Sequence, residues 1–467
     1  MESRSKFLFK NIGILTASNF ASKLLVFLLV PLYTSVLSTV DVGIFDLIVS
    51  TVSILFHVLT ADIINGIMRF ALDRDKSKSE IAIIGLKYSI ISIIILIICV
   101  ISIRLFNLVP RINGLESYII LYFAFYVLNN FMIQFAKGLE RISDMGIAAI
   151  MGTLSMIVTN IIFLLVLKQG LKGFFVANIV AQAIPTIFLF FKIRFWEFIY
   201  ISYINKYLEK EMLFYSVPLI AASIGWWINS ASDKYVVSFM CGVSANGILA
   251  VSYKIPQIIN TLHGIFTEAW QISAIREYQA EDSSIFYGRT FRLATTLMAA
   301  VCSWLILLSK PLAHILYAKD FYAAWQYVPF LLISCTFNSA SGFLGSVLSA
   351  NKNSKAMANS AIIGSSANII FNIILVYLIG IQGAVIATAI CSFIIFYIRK
   401  RETKGEIEIT GYHIIVITWI LLCVQAFIEI HIQSYVAELI IMIAMLIINS
   451  RNISSLYKFA LKQIKKT

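Results

Sequence analysis

The chain has 467 residues, of which 60% are hydrophobic and only 13% charged, with a formal net charge of +13 and a mean hydropathy of +0.87. A soluble domain carries about a quarter charged residues, so this composition excludes a water-soluble fold and makes the bilayer the solvent. Nucleic acid is excluded as a partner despite the positive charge, because the basic residues sit in short gaps between apolar runs and form no surface domain.

Apolar windows long enough to cross ~30 Å of hydrocarbon fall near residues 11–36, 42–67, 81–103, 116–136, 146–167, 173–191 and 212–240, then near 246–273, 290–308, 325–350, 357–379, 382–398, 411–430 and 434–449. They predict an all-α polytopic membrane protein of about fourteen transmembrane helices. Lys6 and Lys10 precede the first run as they would in a signal peptide. Lys23 interrupts that run, however, and the hydrophobicity continues past Pro31, so an uncleaved first helix is expected.

Polar residues inside these windows are the functional candidates, since a mid-membrane charge costs ~2.5–3.5 kcal/mol on insertion scales and marks a pathway or a pair. In the first helix Lys23 lies ~18 Å from the start, near the membrane centre, with Thr16 and Asn19 on the same face. It reads either as a packing residue paired with an acid or as a cavity-lining cation for an anionic substrate. The second helix carries Asp46, Ser50, Ser53, His57 and Thr60 in a stripe, followed by Asp62, a candidate for ion coupling, and by Arg69 at its inner end. Small hydroxyl residues also serve simply to bring helices together, and a lone histidine is commonly a packing residue. Lys87 in the third helix is expected to snorkel. The seventh helix presents Ser216, Ser223, Ser230 and Asp233 on one side, with Trp226 and Trp227 halfway; Asp233 and Lys234 form either a self-compensating pair or a coupling site.

The eighth window is the most polar. Lys254, Gln257, Thr261, Gly264, Glu268 and Gln271 follow at spacings of 3, 4, 3, 4 and 3. On a continuous helix they fall within an arc of about 100° and extend ~25 Å, as one wall of a hydrophilic cavity would. Glu268 and Asp233 are the acids best placed to carry a coupling proton or cation. Pro31, Pro218 and Pro256 are expected to kink their helices. The six cysteines (Cys99, Cys241, Cys302, Cys335, Cys391, Cys423) form no CxxC and histidine is scarce, so no disulfide framework, metal site or cofactor is expected. No hydrolase, kinase or transferase constellation is present, and an enzyme is not expected.

With the N-terminus inside, 27 of the 37 lysines and arginines fall in inner segments and six in outer loops, which predicts that both termini are cytoplasmic. The longest inner connection, roughly 192–211, divides two sets of six helices. A shift of 204 residues places Val36–Ile44 over Met240–Ile248 with identities at Gly43/Gly247 and Ile44/Ile248, a weak internal repeat. The expected organisation is an N-terminal lobe at 1–200, a C-terminal lobe at 201–404, and a helix pair with a basic tail at 405–467.

The succession Tyr215-Ser-Val-Pro, Gly225-Trp-Trp-Ile-Asn-Ser-Ala-Ser-Asp-Lys234, Ala245-Asn-Gly-Ile248, Tyr253-Lys-Ile-Pro256 and Ile265-Phe-Thr-Glu-Ala-Trp-Gln-Ile-Ser-Ala274 resembles the Wzx-type oligosaccharide flippases of bacterial surface-polysaccharide synthesis. So do Pro-Leu-Tyr-Thr and Asp-Val-Gly-Ile in the stretch from Lys23 to Phe45. The likeness implies the fold shared by multidrug antiporters and lipid II flippases. It also implies translocation of an undecaprenyl-pyrophosphate-linked oligosaccharide, for O-antigen or capsule, across the cytoplasmic membrane by alternating access. Lys23 and Lys254 match the family's pyrophosphate-holding cations in the first and eighth helices, whereas the second helix has no basic residue before Arg69. Asn19, Gln257, Thr261, Gln271 and Trp226 are then candidate substrate contacts, and Glu268, Asp233 and Asp62 candidate coupling acids for a proton or sodium. The pathway's polymerase and chain-length regulator are candidate partners. An ion-coupled drug exporter of the same superfamily is the alternative.

Overall fold

The structure, a computed structural model, describes residues 25–73, 75–199, 205–277, 282–351 and 353–454. Among these, all regular structure is helical. Eleven helices are long and apolar enough to span a membrane: Thr39–Leu59 (α2), Lys78–Leu105 (α4), Glu116–Gly138 (α5), Ile142–Val166 (of which Ile142–Asn160 is α6), Gly170–Lys192 (α7), Lys206–Cys241 (α8), Ser283–Leu307 (α11), Lys319–Ala350, Ser354–Ile379 (α14), Ile381–Glu402 (α15) and Tyr412–Ile432. Lys319–Ala350 opens with a 3-10 turn that leads into Val328–Ala350 (α13), and Tyr412–Ile432 is Tyr412–Phe427 (α16) closed by a π turn at Ile428–Ile432. The protein is a multi-pass membrane protein.

The other three predicted spans differ for identifiable reasons. The first is described only from Leu25 and contains Val30–Val36 (α1). The last, Tyr435–Ile448 (α17), is 14 residues long. The eighth is broken. Val243–Ser252 (α9) and Gln257–Glu277 (α10) are separated by a turn in which the Lys254 amide reaches back three residues to Val251 (3.0 Å). Pro256 closes this turn, because a proline ring lacks the amide that would continue the helix. The second span is broken as well: α2 ends at Leu59 and Ile63–Leu72 (α3) follows, although no proline or glycine marks the place.

The chain divides into two compact units, Met1–Trp227 and Ile228–Thr467, with the boundary inside α8. In the first unit, α3, α4 and α5 share a core of Ile63, Ile67, Phe70, Ile81, Ile84 and Phe131. Ser38 and Asp41 cap the start of α2 reciprocally. Lys87 is tied to Glu209 (2.6 Å), whose carboxylate also accepts from the Tyr88 hydroxyl (2.9 Å). Arg69 sits over the Tyr215 ring at 4.8 Å.

In the second unit α9 starts at Val243, and the 204-residue shift superposes this position on Thr39, the start of α2. The hub is α13, whose span is 89% buried and packs against α10, α11 and α15. Such a helix must be polar-poor or self-satisfying. Its Ser334 and Thr336 hydroxyls donate back to carbonyls of their own helix, at 2.8 and 3.0 Å. The short helix Ser309–Leu316 (α12) connects α11 to the 3-10 turn at Lys319–Tyr327.

Helices α14 and α15 are joined by a single residue, Gly380, at φ +64. Three residues later a Cβ on Gly383 would overlap the backbone carbonyl of Leu375, and backbone cannot yield as a side-chain tip can. Gly383→Ala is therefore expected to destabilise the protein by about 1–3 kcal/mol, read as a lowered midpoint in thermal unfolding of the purified chain in detergent.

Candidate functional site

Each break meets one buried carboxylate: Asp62 lies in the first, and Asp233 of α8 faces the second. In the first unit the Thr60 hydroxyl donates to the Phe56 carbonyl (2.6 Å), and Ala61 and Asp62 then take left-handed conformations at φ 50 and 52. Two successive non-glycine residues there are costly, and such strain gathers where surroundings over-determine the backbone. Here the surroundings are donors to Asp62, which is 1% exposed. Its Oδ1 lies 2.8 Å from His57 Nδ1 and accepts from Asn65 Nδ2 (2.7 Å), and its Oδ2 accepts from the Ser223 hydroxyl (3.2 Å). Asn65 in turn accepts from Gln134 (3.3 Å), and the Trp227 indole donates to the Ser50 carbonyl (2.8 Å). One carboxylate thereby gathers α2, α3, α5 and α8.

In the second unit Asp233 is 4% exposed. It accepts from the Tyr253 hydroxyl, in the break between α9 and α10, and from the Lys234 amide (2.9 Å). Thr388 of α15 is a further hydrogen-bond partner of Tyr253. Next to Asp233, the Ser232 hydroxyl donates to Asn368 Oδ1 (2.7 Å), which also accepts from Asn372 Nδ2 (2.8 Å). Asn372 is fully buried and its own Oδ1 accepts no hydrogen bond among the described residues. Among the described residues no three His, Cys, Asp or Glu side chains converge. Each centre thus offers one buried carboxylate with hydroxyl and amide partners, joined at Asp62 by the His57 imidazole.

The remaining candidates are distributed differently. Lys23 and Asn19 lie outside the described residues, and of Glu268 only the helical backbone is described. Lys254 is half-buried in the turn ahead of α10, so it does not share one continuous helix with Gln257, Thr261 and Gln271. Gln257 and Gln271 are exposed, as is Trp226 at 69%, while the Thr261 hydroxyl donates back to the Gln257 carbonyl (2.8 Å). Asn368, Asn372, Asn65 and Gln134 are not singled out by the sequence, and Tyr253 only as part of a family-like motif. The Asn-x-x-x-Asn spacing in an otherwise apolar helix is the signal that could have found two of them.

Breaks lined with polar groups in otherwise apolar spans are the arrangement by which helical membrane proteins make transport sites. The chain belongs to the family described as "Polysaccharide biosynthesis protein", which matches residues 8–271. No curated protein matches it. Its fold is similar to that of the lipid II flippase MurJ in an inward closed conformation (TM-score 0.70, 16% identity, covering 96% of this chain and 99% of that one). It is also similar to an inward-facing multidrug resistance MATE family transporter of the MOP superfamily (TM-score 0.62, 17% identity, 82% and 95% covered). A MATE structure in complex with MaD3S follows (TM-score 0.56, 16% identity, 85% and 96% covered).

Removing the Asp62 carboxylate strands three partly buried hydrogen-bond partners, whereas asparagine keeps an acceptor in place. Asp62→Ala is expected to cost about 1–3 kcal/mol and Asp62→Asn clearly less, as measured by thermal unfolding of the two variants side by side.

Proposed function

We propose that the protein is a Wzx-type flippase, which moves an undecaprenyl-pyrophosphate-linked oligosaccharide repeat unit from the cytoplasmic to the outer leaflet of a bacterial cytoplasmic membrane by alternating access, with both termini cytoplasmic. The observation that carries this reading is the family match joined to a fold likeness that runs through 96% of the chain for the lipid II flippase but 82–85% for the MATE transporters. A drug exporter leaves the extra length and the polysaccharide family unexplained.

In this reading Lys23 and Lys254 hold the pyrophosphate, because a diphosphate crosses a low-dielectric region only with cations beside it. Asn19, Gln257, Thr261, Gln271 and Trp226 meet the sugars. Asp233, Asp62 and Glu268 are the coupling acids for a proton or sodium, and the pathway's polymerase and chain-length regulator receive the product. The near-complete burial of Asp62 and Asp233 supports their part, since a proton or cation taken up there changes the cost of a buried charge.

Expression in a strain lacking its own repeat-unit flippase tests the proposal. Wild-type protein is expected to restore surface polysaccharide, and failure to do so with glycan-compatible strains and normal membrane levels overturns it. Lys254→Ala and Lys23→Ala are each expected to lower export roughly tenfold or more, the worth of one charge-assisted phosphate contact. In proteoliposomes, Asp233→Asn is expected to abolish the dependence of transport on the proton or sodium gradient while leaving substrate binding intact; an unchanged gradient dependence removes Asp233 from coupling.

A further inference from the structure

The C-terminal helix pair carries a buried ionisable cluster that the flippase reading does not use. Glu429, in the π turn that closes α16, and Glu438, in the first turn of α17, are both 0% exposed. They lie within hydrogen-bonding reach of each other. Glu429 Oε1 accepts from the Ser309 hydroxyl at the start of α12 (2.7 Å), and its Oε2 stands 3.7 Å from the Lys310 ammonium. Lys310 is itself held over the Trp325 ring at 4.4 Å and near the Tyr435 ring at 6.0 Å.

Beyond these contacts, three acceptor atoms are left over. Glu429 Oε2 and both oxygens of Glu438 are buried and accept no hydrogen bond among the described residues. Two ionised carboxylates in contact, with three oxygens lacking donors, would combine like-charge repulsion with unpaired burial, each costing kilocalories. A proton placed between them removes both costs at once: it turns one oxygen into a donor, the other into its acceptor, and leaves one negative charge facing one ammonium. An alkali ion fits less well, because Lys310 already occupies the cation's place beside Glu429. The other titratable groups around the pair are Tyr435 on α17, Tyr322, whose hydroxyl is bonded to His314 (3.0 Å), and His431 in the same π turn, its ring tilted against Phe427. None of them is placed to donate to Glu438 among the hydrogen bonds described.

We propose that Glu429 and Glu438 form a proton-binding site in which a single proton is shared between the two carboxyls and the remaining charge is balanced by Lys310. The proton fastens the turn between α16 and α17 to α12, so that the seating of the C-terminal pair is responsive to pH.

The test compares wild-type protein in lipid nanodiscs with Glu438→Gln, whose neutral amide replaces the protonated carboxyl and donates to Glu429 in its stead. If the folded state holds one proton that the unfolded chain releases, the unfolding constant of the wild type rises about tenfold per pH unit more steeply than that of E438Q between roughly pH 5 and pH 7. The infrared spectrum at neutral pH should contain one protonated-carboxyl carbonyl band more in the wild type than in E438Q, with or without sodium. The band is read on wild-type protein alone, by its response to deuteration and pH, should the variant not accumulate. Parallel pH dependences, or an unprotonated Glu438 held as an anion by the N-terminal dipole of α17, would overturn the proposal. So would a band that sodium abolishes, which would mark a cation site instead.

Discussion

Hydrocarbon neither donates nor accepts hydrogen bonds, so every polar group carried into it must find its partner within the chain. That constraint explains why the carboxylates of this protein are where they are. Asp62 faces His57, Asn65 and Ser223, Asp233 faces Tyr253, and Glu429 faces Ser309 and Lys310. In each case the acid brings together segments distant in sequence, and in the first two it stands at or against a point where a helix is interrupted. The broken backbone supplies room for the side chain, and the side chain's donors hold the broken backbone.

The same rule fastens the C-terminal pair. The Ser303 hydroxyl donates to Gln425 (2.7 Å), which donates back to the Ser303 carbonyl (3.1 Å). Asn449 donates to Thr418 (2.8 Å) and accepts from Thr296 (3.2 Å), to which Asn452 also donates. This ladder runs from α11 to α16 and α17 through groups that are almost wholly buried. Between apolar helices in lipid there is no hydrophobic force to hold neighbours together, so side-chain hydrogen bonds and close packing do that work.

Most helices were legible because ~20 apolar residues in a row have few other uses, and the windows overlap all eleven observed spans, with ends that differ by up to eight residues. The breaks were legible only in part. Pro256 marked the one in the eighth span, which sequence read as a kink; nothing in Thr60-Ala61-Asp62 announces the other, whose geometry is imposed by donors on α8, as well as by Asn65 and His57 nearby. Lys87 reads as a snorkelling residue on its own, but Glu209 lies far along the chain and reaches it only when α8 is packed. Asp233 beside Lys234 suggests a local pair, whereas the hydroxyl that meets it comes from Tyr253, twenty residues on. Glu429 and Glu438 drew no notice, since acids near a helical hairpin ordinarily face water. Local pattern thus located the helices, and the non-local pairing of charge required the fold.

The interrupted spans bear on how the chain enters the membrane. Helices α3 and α9 are each ten residues long, about 15 Å, or half the hydrocarbon thickness. Neither can partition into lipid alone with its ends unsatisfied. Each must be released from the insertion machinery together with the segment beyond its break, and with neighbours able to receive the exposed carbonyls and amides. Biogenesis of this protein is then a matter of groups of helices entering together rather than one at a time, and substitutions that loosen Asp62 or Tyr253 would be felt first as chains that fail to integrate.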